Sequence, residues 1–395
     1  MLAVRFDLAD PDFPVSLVDL AEPALPGPAW ARVAVTAGGI CGSDLHLFTH
    51  DTGPSPTLAS LAAFPFVMGH EIGGRVIEAG PGCPVAVGTR VAVDPTISCV
   101  ARGIDPACRH CAAGLPQNCL NLGSRTLTPG LSLGFTSDLG GGWAEQVVAH
   151  ASMLHPLPDR VPDAAAGLHE PTSIAVHGLM RRPPRDGDPV VVVGAGIIGL
   201  CAVAVLRHLF PASEVTVLAR HDHQADAAQA IGARHVVRPE PDGSHFAHLA
   251  EISGAEISGR GSGLMLMGGF PYVVEAVGAP ASITEALRIV DNRGTVLLLG
   301  AAGVSEVDLT QVWFKEAELV GAWGHCVDGA GHSIDRALEL LAAGALPFTT
   351  VLTHEFALVD VREAVTTALD RMGTGAIKVT LRPSFGEASA QQPPE

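Results

Sequence analysis

The first 150 residues contain short apolar stretches that glycine and proline interrupt every few positions. These stretches predict short strands, of which the clearest cover residues 31–36, 75–78, 90–93 and 144–148. Many short strands separated by turn residues favour a β-rich, barrel-like domain for this part of the chain.

The pattern changes near Pro171, where strand-like and helix-like segments begin to alternate. Strands are predicted at residues 190–193, 214–218, 272–275 and 296–299, and helices at residues 198–210, 224–231 and 282–290. This alternation is typical of a parallel, doubly wound α/β sheet. The apolar run 190–206 could also be a membrane span, but glycines at positions 194, 196 and 199 favour a buried strand that leads into a buried helix.

After about Trp323 the pattern predicts a return to the first domain, with a helix at residues 333–342 and strand-like segments near Thr349 and Ala376. Residues 243–270 are rich in glycine and serine and show no pattern that assigns an element, so an inserted surface loop is the ordinary interpretation. The polar segment 384–395 is expected to be disordered.

Composition and charge narrow the classes of function. A chain of 395 residues with 47% apolar residues can build two domains with large cores, which excludes wholesale disorder. The net charge of −17 repels phosphate backbones and anionic lipids, so we expect neither a nucleic-acid nor a membrane partner. Residues 1–13 lack the apolar segment of a secretory signal. We therefore expect a cytoplasmic protein with reduced cysteines, in which clustered cysteines indicate metal binding or catalysis.

The segment Val190 to Gly199 combines a strand, a glycine turn and a helix start, which is the context a dinucleotide site requires. Gly194 permits the tight turn, Gly196 lets the backbone approach a pyrophosphate, and Gly199 lets the helix pack on the strand. The helix N-terminus adds partial positive charge for the phosphates. The alternative is an ordinary glycine-rich turn. The predicted cofactor-binding residues are Gly194, Gly196, Ile197, Ile198, Gly199, Ala219, Arg220 and Gly300.

The strand predicted at 214–218 ends in Ala219 and Arg220, where an NAD enzyme usually has an acidic residue for the ribose hydroxyl. Without that carboxylate, a 2′-phosphate meets no repulsion, and the Arg220 guanidinium can pair with it. This favours NADP over NAD. The alternative is that Arg220 is a solvated surface residue.

Two groups of residues have the chemistry of metal ligands. Cys41, His70 and Glu170, with Glu71 next to His70, offer a thiolate, an imidazole and carboxylates, which can hold zinc and leave one position open. Each residue taken singly also has an ordinary structural interpretation. The second group, Cys99, Cys108, Cys111 and Cys119, can close a tetrahedral zinc site with four thiolates; reduced thiols without metal are the alternative.

These motifs resemble the zinc-dependent branch of the medium-chain dehydrogenase/reductase family over roughly residues 1–380. The resemblance rests on the segments around Cys41, at 69–71, at 141–145, at 194–199 and at 275–278. It implies a GroES-like β-rich catalytic domain over residues 1–171, completed by 324–383, and a Rossmann domain over 172–323. It also implies a homodimer or homotetramer.

The resemblance also implies roles for the metal-ligating residues. Cys41, His70 and Glu170 would bind the catalytic zinc, and Glu71 would be a nearby or alternating ligand. A glutamate at 170 is similar to the sorbitol and threonine dehydrogenase subgroup. The last three cysteines of the second group match the structural zinc lobe of the family, whereas eight residues separate Cys99 from Cys108 where the family commonly has two. This difference puts Cys99 in question as the fourth ligand.

The expected reaction is hydride transfer between a small alcohol or polyol, or its carbonyl, and NADP(H). Zinc would lower the pKa of the substrate hydroxyl. Ser43 would accept its proton, His46 would pass the proton to solvent, and Asp44 would orient His70. Two alternatives remain at this point: a biosynthetic NAD(P)H-dependent reductase of a carbonyl or imine, and a non-catalytic protein that binds zinc and nucleotide.

Overall fold

The computed structural model describes residues 1–7, 13–49, 63–124, 126–127, 130–304, 306–328 and 331–383. The segment 384–395, for which disorder is expected, lies outside these residues. Contacts divide the chain into two compact units. The first contains residues 1–170, 324–342 and the chain from Leu352 onward, and the second contains residues 171–323 and 343–351.

The described strands of the two units fall into several sheets, and two strands of the first unit, Trp30–Gly39 and Glu71–Ala79, are longer than predicted. In chain order they are β1 (Leu2–Phe6), β2 (Val15–Asp19), β3 (Trp30–Gly39), β4 (Phe66–Val67), β5 (Glu71–Ala79), β6 (Arg90–Val93), β7 (Gln146–His150), β8 (Leu154–Pro156), β9 (Val190–Val193), β10 (Val215–Leu218), β11 (His235–Val237), β12 (Glu256–Ser258), β13 (Met265–Met267), β14 (Phe270–Glu275), β15 (Val290–Leu298), β16 (Glu318–Gly321), β17 (Val327–Asp328), β18 (Gly331–His332), β19 (Leu352–Ala357) and β20 (Lys378–Arg382).

The longer helices lie mainly in the second unit and at the end of the chain. The α-helices are α1 (Gly42–Thr49), α2 (Arg109–Ala112), α3 (His169–Arg181), α4 (Ile197–Leu209), α5 (Asp222–Ile231), α6 (His245–Ser253), α7 (Pro280–Ile289), α8 (Thr310–Phe314), α9 (Ser333–Ala342), α10 (Phe348–Val351), α11 (Val361–Leu369) and α12 (Arg371–Thr374). Short 3₁₀ helices occur at Pro116–Asn118, Ala151–Met153, Asp163–Leu168, Gly261–Gly263 and Leu358–Asp360. None of the helices in the described part of the chain is long and apolar enough to cross a membrane.

The first unit is built on a sheet in the order β19-β20-β3-β5-β6-β8, with β7 also paired to β3, and a smaller sheet β2-β1-β4. Strands β3, β5, β6 and β7 pair antiparallel, and their apolar residues, such as Val33, Ile72 and Val147, form one buried core. A second core forms around Trp143 and Phe66. The predicted β-rich domain is therefore confirmed.

The second unit contains a six-stranded sheet in the order β11-β10-β9-β14-β15-β16, in which every pair is parallel. The residues of β9 and β10 are buried throughout, as a parallel sheet covered on both faces requires. The sequence predicts the strand at Val190–Val193 with the observed bounds, and the doubly wound α/β domain is confirmed.

The interpretation of residues 243–270 as a surface loop is wrong. This segment forms helix α6 and a hairpin of β12 and β13. Phe246 and Leu249, one helical turn apart, and Leu266 of the hairpin are buried in the core of the second unit. The glycines end these elements: Gly254, for example, ends α6 in a left-handed conformation.

The prediction of a strand-like segment near Thr349 is also wrong in part. A helical turn at Phe348–Val351 comes first, because the N–H of Thr350 donates to the carbonyl of Pro347, and strand β19 begins only at Leu352. The segment near Ala376 becomes β20, which begins at Lys378.

Candidate metal and cofactor sites

Strand β3 ends at Gly39 and leads into a turn that holds Cys41 at the start of helix α1. The backbone N–H of Cys41 donates to Asp44 Oδ2 at 2.9 Å, which fixes this turn. Asp44 is buried, whereas Cys41, Ser43 and His46 are half-buried. The helix therefore keeps the thiol and hydroxyl partly accessible while its carboxylate points inward.

His70 and Glu71 lie at the start of β5, opposite that turn. The ligand atoms of Cys41, His70 and Glu71 all lie within 4.8 Å of one another. Asp44 Oδ1 is 3.5 Å from His70 Nδ1, and Ser43 Oγ is 3.4 Å from His70 Nε2. Burial lowers the pKa of His70, but the Asp44 carboxylate outweighs this effect and raises that pKa well above its usual value.

Glycines and a buried tryptophan allow the two chain segments to approach. A Cβ at Gly39 would lie 1.8 Å from Glu71 Oε2, so only glycine leaves room for that carboxylate. Gly69 has φ +91°, and a Cβ there would meet the Trp143 ring at 2.3 Å. Trp143 is fully buried and donates its indole N–H to the carbonyl of Gly39 at 3.1 Å. The indole thus contacts the segments that carry Cys41 and His70.

Lys378 is a site residue that the sequence reasoning missed. Its buried ammonium pairs with Glu71 Oε2 and donates to the carbonyl of Ile40 at 2.9 Å. Burial lowers the pKa of Lys378, and Glu71 more than restores it, so this pKa is raised. A signal existed in the sequence: Lys315 and Lys378 are the only lysines of the chain, which otherwise uses arginine, and both are buried.

Glu170 lies in the first turn of α3, outside the 4.8 Å group of Cys41, His70 and Glu71. Its Oε1 is 3.4 Å from Nε2 of His325, a buried residue that the sequence reasoning also missed. Burial raises the pKa of Glu170, but the contact with His325 outweighs it and lowers that pKa to about 2. Glu170 still interacts electrostatically with both His70 and Glu71.

This donor set fits a zinc ion. Thiolate, imidazole and carboxylate are the ligands that zinc takes in proteins. Glu71 Oε1 is buried and has no hydrogen-bond partner among the described residues, so it has the free lone pairs that a ligand needs. Metal-bound imidazoles are commonly oriented by a carboxylate at their second nitrogen, and Asp44 lies in that position beside His70.

The four cysteines 99, 108, 111 and 119 converge, with all sulfur atoms within 4.8 Å of one another. Cys99 Sγ lies 3.5 Å from Cys119 Sγ, so the longer gap before Cys108 does not separate Cys99 from the group. The intervening residues form a compact turn, in which the N–H of Ile104 donates back to the carbonyl of Cys99 at 2.9 Å.

Amide groups surround the sulfur atoms. Backbone N–H groups of Cys111 and Leu120 point at Cys108 Sγ, and the side-chain amide of Asn121 points at Cys99 Sγ. The two backbone contacts lower the pKa of Cys108 to about 6, which favours its thiolate. Buried Arg102 interacts electrostatically with Cys99 and Cys119. Four converging sulfur atoms are a donor set that fits a structural zinc ion.

The predicted nucleotide turn lies at the carboxyl end of β9. Gly194 has φ +98°, and a Cβ at Gly199 would lie 1.9 Å from the carbonyl oxygen of Gly194. Both positions therefore require glycine. Gly196 caps helix α4, and a Cβ built there meets nothing within 4 Å, so the space in front of the helix N-terminus is open. Ile197 and Ile198 form the first, half-buried positions of that helix.

The ends of β14, β15 and β10 carry the other predicted residues of this region. Buried Glu275 accepts hydrogen bonds from the N–H groups of Val277 and Gly278, and a Cβ at Gly300 would lie 2.0 Å from Gly278 N. Ala219 is buried after β10, and Arg220 is exposed. The nearby carboxylate of Asp222 is paired with Arg238.

Comparisons with known proteins cover both units. The alcohol dehydrogenase GroES-like domain model matches residues 27–159, and the zinc-binding dehydrogenase model matches residues 198–344. Scyllo-inosose 3-dehydrogenase of Thermotoga maritima is 30% identical over 376 residues, which cover 89% of this chain and 86% of that protein.

Solved structures are similar over nearly the full length. An alcohol dehydrogenase of Escherichia coli CFT073 in complex with NADH has a TM-score of 0.76 and 26% identity, covering 97% of this chain and 99% of that one. A zinc-binding dehydrogenase of Sinorhizobium meliloti 1021 bound to NADP has a TM-score of 0.74 and 26% identity, with the same coverage. Similar proteins therefore bind either form of the nicotinamide cofactor.

Proposed function

Because this chain belongs to the zinc-type medium-chain alcohol dehydrogenase family, we propose that it transfers a hydride between a small alcohol or polyol, or its carbonyl, and NADP(H). The observation that carries the proposal is the group of Cys41, His70 and Glu71, whose ligand atoms lie within 4.8 Å of one another. Asp44 beside His70 and the glycine turn of the second unit support it.

Cys41, His70 and Glu170 are the proposed zinc ligands, and Glu71 is the nearby or alternating one. A bound zinc ion would supply a Lewis acid for the substrate oxygen. The contacts of the two glutamates support an exchange between them. Glu71 shares the 4.8 Å group with Cys41 and His70, while Glu170 contacts His325. Lys378 offsets the negative charge of Glu71 when that carboxylate is not a ligand.

Ser43 and His46 are the proposed path for the hydroxyl proton. Ser43 Oγ is 3.4 Å from His70 Nε2, so the hydroxyl lies beside the proposed metal ligands. His46 lies three residues after Ser43 in the same helix and is half-buried, which gives its ring access to solvent. Histidine is the side chain that ordinarily exchanges protons near neutral pH. Oxidation would move the proton outward, and reduction would move it inward.

The second unit would hold the cofactor, whose nicotinamide ring supplies the hydride acceptor or donor. The open space in front of Gly196 at the start of α4 suits a pyrophosphate. Exposed Arg220 has no hydrogen bond or ion pair to the described residues, so its guanidinium is available for a 2′-phosphate. The carboxylate of Asp222, two residues after Arg220, is already paired with Arg238. These features support a preference for NADP over NAD.

A structural zinc ion on the four cysteines and assembly into a homodimer or homotetramer complete the proposal. The four converging sulfur atoms support the structural zinc.

Strand β16 is at the edge of the six-stranded sheet of the described residues, and the exposed residues before it include Trp313 and Phe314. Large apolar side chains exposed beside a sheet edge are typical of a surface that another chain covers.

Cys41→Ser tests the proposal. The wild type should oxidise a member of a panel of alcohols and polyols, or reduce a carbonyl, with NADP(H). The Cys41→Ser variant should lose at least about a hundredfold in kcat/KM, because the zinc loses its thiolate ligand. Cys83→Ser is the matched control, since Cys83 is half-buried away from both cysteine-containing groups. Full activity of Cys41→Ser or of metal-free protein would contradict the proposal.

A further inference from the structure

A third group of metal-ligand side chains lies outside both proposed zinc sites. The ligand atoms of Asp94, His155 and His332 all lie within 4.8 Å of one another. Asp94 follows β6, His155 belongs to β8, and His332 lies just before α9, so three separate parts of the first unit meet here. The imidazole rings of His155 and His332 are 4.6 Å apart between centroids.

The separation of Asp94 and His332 fits two ligands of one ion. Asp94 Oδ2 is 3.4 Å from His332 Nε2, longer than an ordinary N–H···O hydrogen bond. With metal–ligand distances of about 2.0–2.2 Å, the ligand atoms around a tetrahedral zinc ion lie about 3.3–3.5 Å apart. The other oxygen of Asp94 accepts the N–H of Thr96 at 2.8 Å, which fixes the carboxylate.

One ring nitrogen of His155 is held by a hydrogen bond, which leaves the other nitrogen available as a metal ligand. Its Nδ1 is 2.7 Å from Asp335 Oδ1, so Nδ1–H donates to that carboxylate. Nε2 then carries the lone pair, and this atom is buried without any hydrogen-bond partner in the described part of the chain. The side chain is only 10% exposed. A carboxylate that fixes the tautomer of a histidine is the arrangement commonly found behind metal-bound imidazoles.

The Asp94 carboxylate supplies negative charge to the group. Burial raises the pKa of Asp94, but His332, His325 and the N–H of Thr96 outweigh it and keep that pKa well below its usual value. His332 Nδ1 accepts the N–H of Ile334 at 3.2 Å. When Nε2 of His332 binds the metal ion, the ring proton moves to Nδ1. The hydrogen bond from Ile334 is then lost, so His332 has to shift slightly on metal binding.

We propose that Asp94, His155 and His332 form a third metal site, which binds a divalent transition-metal ion of the zinc class through one carboxylate oxygen and two imidazole nitrogens. Water takes the fourth position, and Asp335 orients His155. The ion links the start of α9 to strands β6 and β8 and has a structural role, separate from the proposed dehydrogenase chemistry.

The test is a zinc count on untagged full-length protein, stripped with a chelator and equilibrated with buffered Zn²⁺. His155→Gln and His332→Gln should each hold one zinc ion per chain fewer than the wild type. His354→Gln is the control, since the ring of this histidine of the same unit contacts Thr353 and Phe356 and belongs to none of the three groups of metal-ligand side chains. Unchanged zinc content in both site variants would overturn the proposal, whatever the other two sites hold.

A second measurement needs no variant and so does not depend on how well the variants fold. Crystals of the wild type soaked in Zn²⁺ should show an anomalous difference peak at the zinc edge, about 2.0–2.2 Å from Asp94 Oδ2, His155 Nε2 and His332 Nε2. Absence of this peak, with density present at the four cysteines, would also overturn the proposal. Dehydrogenase activity is measured separately, because it depends on Cys41 and not on this site.

Discussion

Gly39 determines how closely the Glu71 carboxylate can approach the end of β3, because a Cβ there would lie 1.8 Å from Glu71 Oε2. We predict that Gly39→Ala displaces this carboxylate from the group with Cys41 and His70. The variant should lose at least about tenfold in kcat/KM and about 1–3 kcal/mol in the free energy of unfolding, as overpacked sites do. Steady-state kinetics and urea denaturation measure the two effects.

Gly42→Ala is the matched control, three residues further along the chain. The nearest heavy atom to a Cβ at Gly42 is Arg371 Nη2 at 3.9 Å, which is ordinary van der Waals contact. This variant should keep its activity and stability. Equal losses in the two variants would mean that the segment tolerates no side chain at all, and that contact with Glu71 is not the cause.

Arg220 decides the cofactor preference in our proposal. A charge-assisted pair with a 2′-phosphate contributes about 1.5–3 kcal/mol, which is roughly ten- to a hundredfold in affinity. Arg220→Ala should therefore weaken NADP(H) by that factor and leave NAD(H) nearly unchanged, and Ala219→Asp should reverse the preference. Competitive titration of each variant with both cofactors measures this.

Arg234→Ala is the control for the cofactor titration. Arg234 is also exposed but precedes β11, whereas Arg220 follows the carboxyl end of β10, where parallel sheets bind their ligands. Tighter binding of NAD(H) than of NADP(H) by the wild type would show that Arg220 is a solvated surface residue.

Among the elements, those with a local signal could be predicted from the sequence. Strands Arg90–Val93 and Val190–Val193 and helix Ser333–Ala342 have the predicted bounds, because each is a short apolar or periodic segment between clear turn residues. Residues 243–270 were misassigned because their glycines outweighed the apolar positions Phe246 and Leu249, which point into the core.

The site residues that lie in short sequence motifs could be predicted. Those that the fold brings together from distant parts of the chain could not. Cys41 and His70 lie in short glycine-containing motifs that the sequence displays. Lys378 reaches Glu71 only because β20 pairs with β3, and His325 reaches Glu170 from a loop far along the chain. No local pattern encodes such long-range contacts, and the rarity of lysine in this chain marks Lys378 without indicating its partner.

The segment 99–119, which carries the four converging cysteines and is called the cysteine lobe here, should depend on metal for its stability. Cys111→Ser removes one of the four converging thiols, so it should lose about one zinc ion per chain and lower Tm by several degrees. His110→Ala, in the same short helix α2, is the control and should keep both the zinc and the Tm. Metal analysis and calorimetry decide the matter. An unchanged zinc count in Cys111→Ser would mean that the lobe holds no metal.

For the whole molecule, we predict an assembly larger than one chain. Trp313 is 79% exposed, and Phe314 beside it is half-exposed, in a chain whose net charge of −17 otherwise favours a hydrated surface. Light scattering at micromolar concentration should give a mass that is a multiple of 40.6 kDa. Trp313→Glu should lower this mass, whereas Met372→Glu, at an equally exposed apolar position of the other unit, should not. A mass of 40.6 kDa for the wild type would refute the prediction.

The bond between Lys378 and the carbonyl of Ile40 joins residues 338 positions apart. During synthesis at about 5–20 residues per second, the ribosome takes roughly 20–70 s to add the residues between them. Throughout that interval the nascent chain already contains Cys41, His70 and Glu71, but strand β20 and its ammonium do not yet exist. The carboxylate of Glu71 therefore lacks its counter-charge until β20 has been made, and the group of Cys41, His70, Glu71 and Lys378 is among the last parts of the first unit to be completed.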